Sequence, residues 1–347
     1  MQKWITVLLS TFLAIGVASY ALAQNNTESF IGLQLAGNRA DFNVTVPAGD
    51  TDPETFIPVS VIKGSLPGPT VLMVTGVHGY EFAPILAAQR LADEIEPDTL
   101  VGTLIIVRVA HIPAFEERSP YVNPYDRKNL NRSFPGDPTG TQTERIAWVL
   151  SSKLIPAADF VLDVHSGDGA EWLEAFVGVY GGPLATDYAS AFSFAEAMGF
   201  PNIVRYTMNT QEQIDRGRSL NRQAVAQGLP TILVEIGENG RRDPRHVDAI
   251  VSGIKRGMSG LEMLKPTHHN AKVPPRYFDG TQSIPVKNSG IWTPVSRDGE
   301  EVKAGETLGT IHNYKGRLVE TVTAPKSGFH FMALQARRFV LGKALQQ

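Results

Sequence analysis

The sequence predicts an α/β protein, with a mixed, mainly parallel sheet flanked by helices and a small all-β domain at the C-terminal end. Three observations predict it. Between about residues 57 and 265, short apolar runs alternate with helix-like patterns, the rhythm of strands joined by crossover helices. Those runs are nearly continuous in apolar character, which suits strands buried on both faces. After Pro266 the helical period disappears, and Gly and Pro recur between short β-prone runs, as in a small all-β module.

At the N-terminus, Lys3 precedes an apolar run from Trp4 to Leu22 that closes on Ala21-Leu22-Ala23. A charged start, an apolar middle and a small-residue end describe a secretory signal peptide cleaved after Ala23. The expected location is secreted or periplasmic, with no stable membrane insertion after cleavage. An uncleaved anchor is the alternative, because the run approaches the roughly 20 residues that span a bilayer. The chain has 347 residues, and at about 100–200 residues per domain this is room for two or three domains. The expected division is residues 1–23 signal peptide, 24–265 catalytic domain, 266–283 linker and 284–347 a small β-barrel or hammerhead-like domain. Net charge is -3, so no basic footprint points to nucleic acid. There is no cysteine, which excludes disulfides and thiolate ligands. A metal site must therefore use His and carboxylate.

Five stretches read as strands, rich in Val and Ile and bounded by Gly, Pro or Asp: "PTVLMVTG", "GTLIIVRVA", "DFVLDVHSG", "NIVRY" and "PTILVEIGE". After the first, Phe82, Ile85, Leu86 and Ile95 mark one side of a helix, with Pro84 acceptable in its first turn. A second helix is predicted over 143–154. "HHNAKVPPR" reads as linker, and the β module follows it.

In open α/β sheets, ligands bind beyond the carboxyl ends of the strands. His78 and Glu81 follow the first strand, His165 ends "FVLDVH", and Glu235 ends "TILVE". An i, i+3 pair on an opening helical turn faces one way, so His78 and Glu81 can grip one ion. His165 could complete a His-Glu-His set with an open fourth position, the pattern of a catalytic zinc site. A lone His after a strand is more often a packing or capping residue; two more polar groups at strand ends weigh against that, since burying unpaired acids is costly. His111, His246, His268, His269, His312 and His330 lack this context and are read as structural or surface residues. The stretch "NPYDRKNLNRSFPG", residues 123–136, has loop composition and carries Asn129, Asn131 and Arg132. A guanidinium fork binds carboxylates bidentately and an amide adds hydrogen bonds, although alone such a loop is better explained as one pinned by its Asn side chains with Arg132 in a surface salt bridge.

Together these stretches resemble the succinylglutamate desuccinylase/aspartoacylase family, a branch of the zinc carboxypeptidase-like hydrolases. "GVHGYE", "NLNRSFPG", "DVHSGDG" and "VEIGENG" are similar to its first metal, substrate-loop, second metal and catalytic-glutamate motifs, in the family's order, and the C-terminal β module resembles the one these enzymes carry. The resemblance implies a zinc carboxypeptidase-like sheet and a Zn2+ cofactor held by His78, Glu81 and His165. It makes Glu235 general base and acid, and has Asn131 and Arg132 hold a substrate carboxylate. Many relatives place an Arg shortly before the Pro-x-Asp of this loop to polarise the scissile carbonyl. Here that position is Tyr121, and Arg118 or Arg127 is the expected substitute, Arg127 being the catalytic assignment. The implied reaction is hydrolysis of an amide beside a carboxylate, with N-acyl amino acids as the first expectation and a secreted zinc carboxypeptidase acting on peptides or cell-wall fragments as the second. The expected partner is a small-molecule or short peptide substrate with a carboxylate; a homo-oligomer stays open. The β module also resembles lipoyl- and biotinyl-type carriers, but Lys315 lacks the flanking methionines of a biotinyl acceptor.

Overall fold

The structure, a computed structural model, describes residues 38–182, 188–266, 274–297, 299–334 and 342–346. The signal peptide expected at 1–23, and His268 and His269, lie outside the described residues.

Nine strands form the main sheet: β1 (Arg39–Val46), β2 (Thr55–Lys63), β3 (Leu66–Thr75), β4 (Val101–Val107), β5 (Phe160–His165), β7 (Phe176–Gly181), β8 (Asn202–Thr207), β9 (Thr231–Glu235) and β10 (Arg276–Asp279), with a short β6 (Glu171–Leu173) outside it. Their order is β1-β2-β4-β3-β5-β9-β7-β8-β10. β3 runs parallel to β4 and β5, and β5 parallel to β9. β7 turns antiparallel to β9, with β8 and β10 following it in parallel. The five strands read from the sequence are β3, β4, β5, β8 and β9. β7 is an addition, its apolar run broken by Gly178 and Gly181.

The continuous apolar runs have the reason expected of them. Val71, Met73, Leu162 and Val164 belong to a core on one face, while Leu72, Val74 and Val161 belong to a second core on the other. A short α2 (Ile112–Glu116) follows β4, and on the first face lie α1 (Phe82–Glu94), α4 (Tyr188–Met198) and α7 (Pro244–Gly260). The second holds α3 (Gln142–Val149), continued by a π turn over Leu150–Leu154, and packs α6 (Leu220–Ala226). The helix predicted over 143–154 is thus two pieces. In α1, Ile85 is buried as expected, but Leu86 is 37 % exposed. Small side chains fill the buried face instead, namely Ala83, Ala87, Ala88 and Ala92 with Leu91, which lets the helix lie close on the sheet.

Within the stretch expected to be linker, 266–283, the described residues 274–283 carry structure: β10 closes the main sheet and β11 (Gln282–Ile284) begins the C-terminal part. Residues 276–279 pair with β8 because Phe278 has an apolar cluster to enter. Beyond, β12 (Ile291–Pro294), β14 (Thr307–His312) and β15 (Leu318–Thr323) form one small sheet, and β11, β13 (Glu301–Val302), β16 (Gly328–His330) and β18 (Gly342–Gln346) another. This module is stitched to the main body. β17 (Met332–Leu334) pairs antiparallel with β6, and Phe331 meets Phe176, Phe278 and Phe329 at ring separations of 5.0, 4.9 and 4.8 Å.

Candidate active site

The parallel strands deliver five polar groups toward one edge. β3 ends at Thr75, and the turn that follows carries His78 and Glu81 into α1. Gly79 is required there, since a Cβ on it would lie 2.1 Å from the backbone nitrogen of Phe115. On β5, Asp163 and His165 are two residues apart and share a face. Glu235 ends β9 directly beside His165 in register.

His78, Glu81 and His165 converge in a buried cluster. His78 Nδ1 is 2.7 Å from Glu81 Oε1, and His165 Nδ1 is 2.9 Å from Glu81 Oε2. Ser166 N–H also donates to Oε2, at 3.2 Å. Burial alone would raise the Glu81 carboxyl, but the charges of His165 and His78 and their hydrogen bonds hold it down at about 2. For His165 burial works the other way, and the neighbouring Asp163 and Glu81 carboxylates push its pKa well above the usual imidazole value.

The cluster fits a zinc ion. One ligand atom from each of the three residues lies within 4.8 Å of the others. Tetrahedral zinc with bonds of roughly 2.1 Å spaces its ligands about 3.4 Å apart, so shifts of about an ångström close the set. Each imidazole also has an outer partner, as metal-bound histidines do. His78 Nε2 is 3.2 Å from Asn129 Oδ1. His165 Nε2 is 2.8 Å from Asp163 Oδ1, turned off the ideal hydrogen-bond line.

Beside the cluster is a cavity of about 460 Å3, whose lining includes Glu235, Asn131 and Arg132. Arg216, Arg218 and Arg222 line it too, from the segment "DRGRSLNR" between α5 (Gln211–Asp215) and the first turn of α6. Asn131 Oδ1 accepts from Leu220 N–H at 3.0 Å, so its Nδ2 is the atom left to donate. Tyr180 and Tyr206 stack at 4.8 Å on the cavity wall. Burial pushes both hydroxyls well above the usual phenol pKa, and they stay protonated. Thr281 and Phe331 bring the C-terminal part of the chain to the same cavity.

His78, Glu81 and His165 meet, and Glu235, Asn131 and Arg132 lie beside them around one cavity. Arg127 does not join them. It is exposed, with φ 61° and its N–H donating to Asn123 O at 3.0 Å, and it is not among the cavity-lining residues. Asp126 holds that loop instead to Thr143 of α3, through Oδ2 to N–H and Oδ1 to the hydroxyl. Arg118 is likewise exposed. Tyr121, at the position where an arginine was expected, presents its ring edge to His78 at 5.5 Å. Burial, then Glu171, Asp168 and Glu81, raise its hydroxyl far above the usual range, so it remains a donor. Asp168 is raised to about 6 by burial and the Glu81 charge. Sequence reasoning left out Asp163 and the three arginines. The period-two spacing of "DVH" and the density of Arg in "DRGRSLNR" were the signals for them.

The comparisons with known proteins agree with this geometry. The profile of the succinylglutamate desuccinylase/aspartoacylase catalytic domain matches residues 67–261. An N-alpha-acetyl-L-2,4-diaminobutyric acid deacetylase of Halomonas elongata is 28% identical over 290 residues, which are 82% of this chain and 81% of that protein. Among solved structures, a succinylglutamate desuccinylase/aspartoacylase of Rhodobacter sphaeroides superposes with a TM-score of 0.77 at 24% identity, covering 89% of this chain and 95% of the other. The product-bound ectoine utilization protein of Ruegeria pomeroyi gives 0.74 at 24% identity, covering 89% and 93%. These two likenesses speak to the fold.

Proposed function

From the premise that the chain belongs to the succinylglutamate desuccinylase/aspartoacylase family, we propose that it is a zinc-dependent amidohydrolase acting on N-acyl amino acids or similar carboxylate-bearing substrates. The observation that carries this reading is the His78–Glu81–His165 cluster set beside an arginine-lined cavity that Glu235 also lines. Zinc held by these three residues would polarise the scissile carbonyl and bring the pKa of water to about 7.

The chain's own groups do the rest. Glu235 takes a proton from the attacking water at its carboxylate and returns it to the nitrogen of the leaving amine. Arg132 and the Nδ2 of Asn131 orient the substrate through its carboxylate, the guanidinium supplying a planar fork. The guanidiniums of the lining favour negative charge throughout the cavity. A cavity of about 460 Å3 closed in part by Phe331 and Thr281 supports a small N-acyl amino acid over a long peptide. We further propose that the chain works outside the cytoplasm, on the pattern of residues 1–23 alone.

Purified protein loaded with zinc and given a panel of N-acyl amino acids and dipeptides tests the reading. The expected result is hydrolysis of the former, with Glu235→Gln retaining fold and zinc but losing on the order of 10²–10⁴ in rate. Near-normal turnover in Glu235→Gln would remove that residue from the mechanism.

A further inference from the structure

Behind His165 a line of side chains runs back to the first turn of α6, and the chemistry above does not use it. Ser219, the residue that opens α6, donates its hydroxyl to Asn221 Oδ1 at 2.6 Å. With that oxygen occupied, the amide presents Nδ2, which donates to Asp163 Oδ2 at 3.0 Å. Asp163 has no exposed surface, and its other oxygen lies 2.8 Å from His165 Nε2. The opposite ring nitrogen of His165 faces Glu81 at 2.9 Å. Leu220, between Ser219 and Asn221, donates its N–H to Asn131 Oδ1. One helical turn therefore touches both the metal-ligand cluster and the loop that reads the substrate.

An imidazole can offer either nitrogen to a metal, and the partner of the other nitrogen decides which. Here Asp163 occupies the Nε2 side and leaves Nδ1 for the ion. Asp163 Oδ1 meets His165 Nε2 as an ion-pair contact off the hydrogen-bond line, so this buried carboxylate depends on its other oxygen for a hydrogen bond to fix its position. Asn221, itself only 4 % exposed, satisfies it, and Ser219 fixes which end of the amide does so. We propose that Asn221 is a positioning residue that acts through Asp163 to hold His165 Nδ1 toward the metal and so sets metal affinity. The inference rests on the metal-site reading above.

The test is zinc affinity, measured by chelator competition on the full chain. Asn221→Leu keeps the volume and removes the donor; Asn221→Asp sets two carboxylates face to face. Both should weaken zinc by roughly 10–100-fold, the scale of losses when an outer partner of a metal ligand is removed. The exchange Asp163→Asn with Asn221→Asp restores one donor and one acceptor at that contact, and should regain most of what Asn221→Asp loses. Asn221 and Ser219 also line the cavity, so the discriminating readout is the recovery of zinc affinity in the exchange, which general loosening of the fold would not give. Parent-like zinc affinity in the Asn221 variants, or no recovery in the exchange, overturns the proposal. Where those variants fail to fold, Ser219→Ala frees the amide to flip while sparing the packing; a parent-like zinc affinity there overturns the proposal too. A parent chain that takes up no zinc brings down the metal reading itself, whereas tight zinc in parent and variants alike removes only the role of Asn221.

Discussion

Replacing Glu81 by Gln should both destabilise the metal-free protein and abolish zinc uptake, and the first effect can be sized from the structure. The carboxylate is 2 % exposed and accepts from His78 Nδ1, His165 Nδ1 and Ser166 N–H. Burial opposes its ionisation, yet the two imidazoles bring its pKa from 4.5 to about 2. That depression is worth ~3 kcal/mol at neutral pH. Because the folded value is depressed, the contribution is present above pH 4.5 and is lost as pH falls through about 2. Gln is nearly isosteric but carries no charge, and its amide sets a donor against one of the ring nitrogens. In excess chelator at pH 7, Glu81→Gln should melt roughly 4 °C below the parent, since an unfolding entropy of about 2.1 cal/mol/K per residue gives about 1.4 °C per kcal/mol for a chain of this size. Zinc at about 100 times its Kd should stabilise the parent by about 2.7 kcal/mol and the variant not at all. A metal-free variant melting within about 1 °C of the parent at pH 7 would refute the electrostatic account of this cluster, whatever the zinc arm shows.

Three further outcomes follow from the same geometry. His165 is held protonated by Asp163 and Glu81 against its burial, so zinc must displace a proton there; affinity should rise about tenfold per pH unit from near 6.5 until the raised pKa is passed, and calorimetry in buffers of different ionisation heat would show no proton release if this is wrong. That same raised pKa stabilises the metal-free fold below pH 6.5 and ceases to do so as pH climbs through the folded value. Arg132→Lys should slow hydrolysis of a free-carboxylate substrate far more than of its amidated analogue, because lysine keeps the charge without the fork; equal losses in kcat/KM for the two would show that Arg132 does not read that group. Phe331→Ala should cost about 3–5 kcal/mol, visible in denaturant titration, because its ring has no exposed surface and meets three other phenylalanines; a loss under about 1 kcal/mol would mean the C-terminal module is not anchored there.

The features legible in the sequence share one property, which is that a local pattern forces them. Apolar runs without alternation identify β3, β5 and β9 because both faces of those strands meet a core, and a polar residue that ends such a run must lie at the sheet edge. That places His78, His165 and Glu235 before any coordinate is seen. What stayed hidden depends on contacts between distant segments. Leu86 looks like a core residue by periodicity, yet α1 buries its alanines because the helix sits close to the sheet. Residues 276–279 fall within the stretch read as linker, and the Phe278 cluster with Phe176, Phe329 and Phe331 makes them a strand of the main sheet. Arg127 lies outside the cavity lining for a related reason: nearness in sequence to Asn131 says nothing about side-chain direction once the backbone turns through positive φ at Arg127. Arg132 of the loop reaches the cavity, but the other guanidiniums there, Arg216, Arg218 and Arg222, come from a segment 84 to 90 residues beyond it, joined to the loop by the hydrogen bonds of Leu220 N–H to Asn131 and of Phe134 N–H to Arg218 O. Sequence order thus located the atoms that could grip a metal, while the shape and charge of the space beside them were set by an α6 turn that no motif marks.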